Sequence, residues 1–127
     1  MPENNRLTFD GRIRSVRFAL RGIRIMVASQ QNAWIHAAVT IVVVAAGLIV
    51  GLPTSSWAWI VLAIGSVWTA EALNTAFEFL TDVASPDFHP LAEKAKDVAA
   101  GAVLLAAVGA VVIGGLVFGP VIAGLLE

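Results

Sequence analysis

The chain has 127 residues, 58% of them hydrophobic and 13% charged, with a formal net charge of −1 and no cysteine. Two tracts, 25–70 and 98–126, contain no Asp, Glu, Lys or Arg, and the mean hydropathy is +0.84. A water-soluble domain cannot cover its surface with so few charges, so a soluble globular enzyme is excluded, as are disulfides, thiolate nucleophiles and Cys-ligated zinc.

A bilayer core takes about 20 apolar helical residues to cross. The chain therefore has room for three crossings and none for a second domain, and a single unit over 1–127 is expected. Ahead of the crossings lie six of the eight basic residues, Arg6, Arg12, Arg14, Arg17, Arg21 and Arg24. The last four form one stripe at helical spacing, beside an apolar face of Phe9, Ile13, Val16, Leu20, Ile23 and Val27. This predicts an amphipathic helix over about 9–28, lying on the membrane with its arginines toward anionic headgroups or phosphates. The segment is too charged for the apolar stretch of a cleaved signal peptide.

The first crossing is expected over about 33–50, followed by a Gly-, Pro- and Ser-containing turn at 51–56 and a second crossing over about 57–80. A polar connection at 82–97 holds Pro86, Pro90 and both lysines, Lys94 and Lys96. The third crossing runs over about 98–125. Lysines and arginines fall in the N-terminal arm and in the 82–97 connection, which places both on the cytoplasmic side, the N-terminus inside and the C-terminus outside. Trp34 then sits near the inner interface, and Trp57 and Trp59 near the outer one. Small residues at Ala102, Ala106, Ala110 and Gly114 permit close helix approach. Three such helices make a thin bundle, so a homo-oligomer is expected.

Glu71, Asn74, Glu78 and Asp82 lie at offsets that point all four in nearly one direction on a helix. An acid inside the bilayer costs roughly 2.5–3.5 kcal/mol on insertion scales, so such residues usually face the bundle and serve a purpose. For Glu71 and Asn74 the plainer alternative is an interhelical hydrogen bond. Lys94, Lys96 and Asp97 stand at the same membrane face toward which Glu78 and Asp82 point. A lysine can hold a phosphate, and carboxylates can hold Mg²⁺ that borrows substrate phosphate oxygens. Phosphoryl transfer needs these parts plus a base for the attacking hydroxyl; for the lysines, ordinary cytoplasmic anchoring is the competing reading. No Walker-type or protein-kinase Gly-rich loop occurs. The glycines at 109, 114, 115 and 119 read as helix packing. His36 and His89 read as structural, and only His89 has charged company.

The stretch Glu71-Ala-Leu-Asn74-Thr-Ala-Phe-Glu78, then Asp82, His89 and Ala95-Lys96-Asp97-Val-Ala-Ala-Gly101, resembles the signature of the small integral-membrane lipid kinases of bacteria, the prokaryotic diacylglycerol kinase and undecaprenol kinase family. Weaker similarity at 18–23 and 32–36 extends the likeness over most of the chain. The resemblance implies an all-α membrane protein, a homotrimer of protomers with one surface helix and three transmembrane helices. It implies active sites between protomers at the cytoplasmic interface, where the γ-phosphate of ATP passes to a lipid hydroxyl. Carried over by position, Glu71 would be the general base, Asn74 would orient the hydroxyl or the base, and Glu78 would ligate Mg²⁺. Lys96 and Asp97 would contact the nucleotide, Asp82 and His89 would line its site, and Arg14 is a further candidate contact to ATP.

One position departs from the family. Where a second metal-binding glutamate is usual, this chain has Gln30, which offers a carbonyl oxygen and no charge. The 82–92 loop and the 96–101 run look more like the undecaprenol kinase branch, so undecaprenol is expected ahead of diacylglycerol as acceptor. The expected partners are ATP, Mg²⁺, a membrane lipid alcohol and the bacterial cytoplasmic membrane, with no nucleic acid. Two other readings stand beside this one: a catalytically idle relative, which Gln30 encourages, and a small oligomeric proton or ion conductor built on the acidic stripe.

Overall fold

The computed structural model describes residues 8–127, so Arg6 lies outside the described residues. Helix α1 spans Phe9–Ser29, α2 Gln31–Val50, α3 Thr54–Ala84 and α4 Pro90–Leu125. The chain is an all-helical membrane protein: α2, α3 and α4 are each long and apolar enough to cross a bilayer.

Helix α1 starts where the Thr8 hydroxyl accepts the Gly11 amide at 3.2 Å, with Asp10 in the first turn against the helix dipole. Its arginines are exposed, and so are Phe9, Ile13, Val16, Leu20 and Ile23; Met26 alone among its residues is buried. That is the pattern of a helix whose apolar face meets lipid. The expected break between the surface helix and the first crossing shrinks to one extended residue, Gln30 (φ −112°, ψ 122°), which closes α1 and opens α2 with no side-chain cap bond. No glycine or proline is used there. At the other end of α2, Gly51 takes a left-handed conformation (φ 70°), which a side chain would disfavour.

Helix α3 has 31 residues and α4 has 36. At 1.5 Å per residue they reach about 46 and 54 Å, well beyond a hydrocarbon core of about 30 Å. The polar connection expected over 82–97 is correspondingly helical except at 85–89. Asp82 belongs to α3, while Lys94, Lys96 and Asp97 belong to α4. Polar residues there mark exit from lipid, not exit from the helix. The restart at α4 is local: Pro90 occupies the first turn, where its missing N–H is harmless, and His89 Nδ1 accepts the Leu91 amide at 3.2 Å.

Helix α3 is the central one. In its most apolar window 33% of residues are buried, against 11% in α2 and 6% in α4. Helix α2 runs antiparallel to it in a single register. Gln30 bonds Glu78, His36 faces Glu71, Thr40 bonds Trp68, and the Trp57 ring lies against Gly47. As the α2 position rises, its α3 partner falls in step. The small-residue stripe of α4 divides: Ala110 and Gly114 line a cavity of about 280 Å³ shared with α2 and α3, whereas Ala102 lines a separate groove against α3.

A Cβ at Gly47 would stand 2.8 and 2.9 Å from Trp57 ring atoms and 3.0 Å from Leu52 Cδ1. Gly47→Ala should therefore destabilise the protein by about 1–3 kcal/mol, the usual range for overpacking. Gly22→Ala, where a Cβ meets nothing within 4 Å, should be neutral or mildly stabilising. Thermal unfolding in detergent separates the two.

Candidate functional site

The acidic stripe of α3 passes through three environments in order. Glu71 is completely buried, Glu78 half-buried and Asp82 exposed. Asn74, between the first two, is also buried.

Glu71 has no hydrogen-bond partner at either carboxylate oxygen. The hydroxyl of Thr75, one turn on, donates at 2.9 Å to the Glu71 backbone carbonyl and leaves the carboxylate alone. What faces it comes from α2: His36 Nε2 lies 3.5 Å from Glu71 Oε2. The expectation that only His89 has charged company thus gives way, because an antiparallel α2 brings His36 opposite the buried acid. The sequence held a signal for this in the polar pair His36 and Thr40, one turn apart on an otherwise apolar segment.

Glu78 is satisfied on both oxygens by amides. Gln30 Nε2 donates to Oε2 at 2.7 Å, and Asn74 Nδ2 donates to Oε1 at 3.2 Å. The Asn74 carbonyl oxygen is left buried without a partner. Glutamine at position 30 matters here: a glutamate in its place would set two carboxylates against each other and require a cation between them, whereas the amide closes the cluster by itself. No group of three or more His, Asp or Glu side chains able to hold an ion occurs among the described residues. One carboxylate with an amide oxygen suits Mg²⁺ that arrives with substrate phosphates, since that ion keeps several waters and needs only one or two protein carboxylates.

Four of the candidate nucleotide residues do come together. Asp82, His89, Lys96 and Asp97 line one hollow of about 330 Å³ where α3 ends and α4 begins. Within it Lys96 Nζ is hydrogen-bonded to Asp82 Oδ1, and both side chains reach solvent, Asp82 more than Lys96. Lys94 faces elsewhere. It lines a groove of about 1020 Å³ between α3 and α4, together with apolar residues such as Leu73, Phe77 and Val98 and with the buried Asn74. Arg14 is not part of either group: it is exposed on α1 and, among the described residues, makes no hydrogen bond or ion pair to them.

The arrangement puts a buried acid, a polar cluster and a hollow in which Lys96 stands among four carboxylates, Asp82, Asp87, Glu93 and Asp97, in sequence along one helix, with an apolar groove alongside. Comparison with known proteins supplies the class. Residues 17–118 match the model of the family described as prokaryotic diacylglycerol kinase. The chain belongs to that family. It is 42% identical over 100 residues to an undecaprenol kinase of Bacillus subtilis, covering 79% of this chain and 81% of the relative. It is 38% identical over 113 residues to a diacylglycerol kinase of Synechocystis, covering 88% of this chain and 65% of that protein's length. Membership makes this chain a lipid kinase, an ATP-using enzyme of the membrane.

Gln30→Glu tests the self-closing cluster. It should lower thermal stability in EDTA by about 1–3 kcal/mol, the scale of a lost hydrogen bond to a charged group, and regain it as Mg²⁺ is added. The native protein should unfold at the same temperature with or without Mg²⁺.

Proposed function

We propose that the chain, acting as one integral-membrane unit, transfers the γ-phosphate of ATP to the hydroxyl of a membrane lipid, with undecaprenol preferred over diacylglycerol. The observation that carries this reading is the Glu71 carboxylate, fully buried with both oxygens unbonded, on the helix face that continues to Glu78 and the Asp82–Lys96 pair. A buried carboxylate left unpaired is costly unless another group is meant to meet it.

In this reading Glu71 takes the proton of the attacking hydroxyl, and the unpartnered Asn74 carbonyl oxygen accepts a hydrogen bond that orients that hydroxyl. Glu78 would hold Mg²⁺ together with the nucleotide, whose phosphate charge the ion neutralises; Gln30, whose amide nitrogen faces Glu78 here, would join it by turning its side-chain oxygen inward. Lys96 meets a phosphate. Its existing bond to Asp82 is solvent-exposed, and exposed ion pairs contribute only about 0–1 kcal/mol, so exchanging the partner for a phosphate costs little. Asp97 and His89 line the rest of the nucleotide hollow.

The groove between α3 and α4 suits the lipid tail, since its lining is apolar apart from a few groups that include Asn74 and Lys94. The acceptor preference rests on the higher identity, and the larger share of the relative's own length, in the match to the relative named undecaprenol kinase than in that to the one named diacylglycerol kinase. The positive charges of the basic arm and the 82–97 region support a site on the cytoplasmic face of a bacterial membrane, with the C-terminus outside. We place the enzyme as a homotrimer. Assembly of exposed apolar faces would give Arg14, unengaged in its own protomer, a nucleotide in its neighbour's hollow.

A lipid-kinase assay on purified protein with Mg²⁺-ATP should show higher kcat/KM for undecaprenol than for diacylglycerol. A reversed order would overturn the acceptor assignment, and no turnover with either lipid would favour an idle relative. Glu71→Gln should lose about 10²- to 10⁴-fold in kcat, the range for a missing general base, while keeping the wild-type oligomer. Lys96→Ala should raise KM for ATP by about tenfold or more, the loss of one charge-assisted hydrogen bond, with a smaller change in KM for the lipid.

A further inference from the structure

The buried acid has one donor beside it, and that donor has no other employment. His36 Nε2 is buried without a hydrogen-bond partner, as are both Glu71 carboxylate oxygens, and Nε2 stands 3.5 Å from Oε2. Among the described residues no other side chain is paired with that carboxylate. The distance is a few tenths of an ångström beyond an ordinary N–H···O bond, and catalytic hydrogen bonds are often long before substrate binds. The imidazole is held in place by a second rung. Its ring packs edge-on against Trp68, with centroids 6.2 Å apart at 68°, and the Trp68 indole N–H donates to Thr40 Oγ1 at 3.1 Å. His36 and Thr40 lie one turn apart on α2, and Trp68 and Glu71 one turn apart on α3, so two helix-to-helix contacts fix ring and carboxylate together.

We propose that His36 is a positioning residue for Glu71: its Nε2–H holds Oε2, sets the carboxylate's rotamer, and leaves Oε1 as the oxygen that meets the lipid hydroxyl. The proposal rests on the reading of Glu71 as general base. In the step it serves, the lipid O–H bond breaks and its proton passes to Glu71 Oε1. The lipid oxygen bonds to the γ-phosphorus, and the bond from that phosphorus to the β,γ-bridging oxygen breaks, releasing ADP. His36 keeps its own proton throughout. A neutral imidazole with its proton on Nε2 can do this without adding a charge to the apolar interior.

Four variants in the lipid-kinase assay test it, all checked for oligomeric state. His36→Phe fills the site without a donor and should lose about 10- to 100-fold in kcat, as expected for one hydrogen bond to a charged group, with KM for ATP and lipid little changed. His36→Gln restores an N–H and should recover most of that loss. Glu71→Gln with His36→Phe should be no slower than Glu71→Gln alone, because His36 acts only through Glu71. Wild-type kcat in His36→Phe, or an additional loss in the double variant, overturns the proposal while leaving Glu71 as base. Full activity in Glu71→Gln overturns the base reading and the proposal with it. A second measurement needs no turnover: the infrared carboxyl band of Glu71, assigned by subtraction of the Glu71→Gln spectrum, should shift in His36→Phe and return in His36→Gln. An unmoved band refutes the contact.

Discussion

Lipid tails are as apolar as leucine, so a bilayer supplies no hydrophobic drive to hold one greasy helix against another. What sets α2 against α3 in this protein is a ladder of specific contacts: Gln30 with Glu78, His36 with Glu71, Thr40 with Trp68, and the Trp57 ring on Gly47. Helix α2 buries little else, Ala33 and Gly47 being its only buried residues. Three of the four rungs involve polar groups that would be costly in hydrocarbon if unpaired. The same contacts that define the helix register therefore also build the candidate site, and the register cannot slip without dismantling it.

The acidic stripe meets a different environment at each level because burial changes along its length. At Asp82 water is available, the partner lysine is exposed, and a phosphate can displace the carboxylate cheaply. At Glu78 two amides hold the carboxylate and satisfy both of its oxygens. At Glu71 the carboxylate is closed off from solvent and has no hydrogen bond, only an imidazole nearby. Glutamine at position 30 fits this gradation. It replaces a second charge, which would demand a cation, with a donor that closes the cluster.

Much of the fold was legible in the residues. Three crossings follow from charge-free length, and the surface helix from its arginine spacing; the structure places their starts within three residues of expectation except for the last. That helix begins at Pro90 rather than 98, since a run of polar residues reports where the chain leaves lipid and says nothing about whether hydrogen bonding along the helix stops. Of the site, Glu71, Asn74, Glu78 and Asp82 announced themselves as acids and an amide on one helical face, and Lys96 and Asp97 as charges beside an apolar run. Which neighbour each would meet was not readable. A single stripe turned out to serve two partners, α2 through Glu71 and Glu78 and α4 through Asp82.

Composition and spacing by themselves determined that this chain is a membrane protein with three segments long and apolar enough to cross, and they singled out the charged stretch between two uncharged tracts as the candidate site. Those conclusions depend on local quantities: hydropathy, helical period, and the cost of an acid in hydrocarbon. Only the tertiary structure decided that His36 stands opposite Glu71, that Gln30 closes on Glu78, and that Lys94 and Lys96 face different cavities. The reason is geometric. Periodicity gives the direction of a side chain about its own helix axis, whereas a partner is chosen by how two axes are rotated and shifted against each other, and that is fixed by packing between segments distant in sequence.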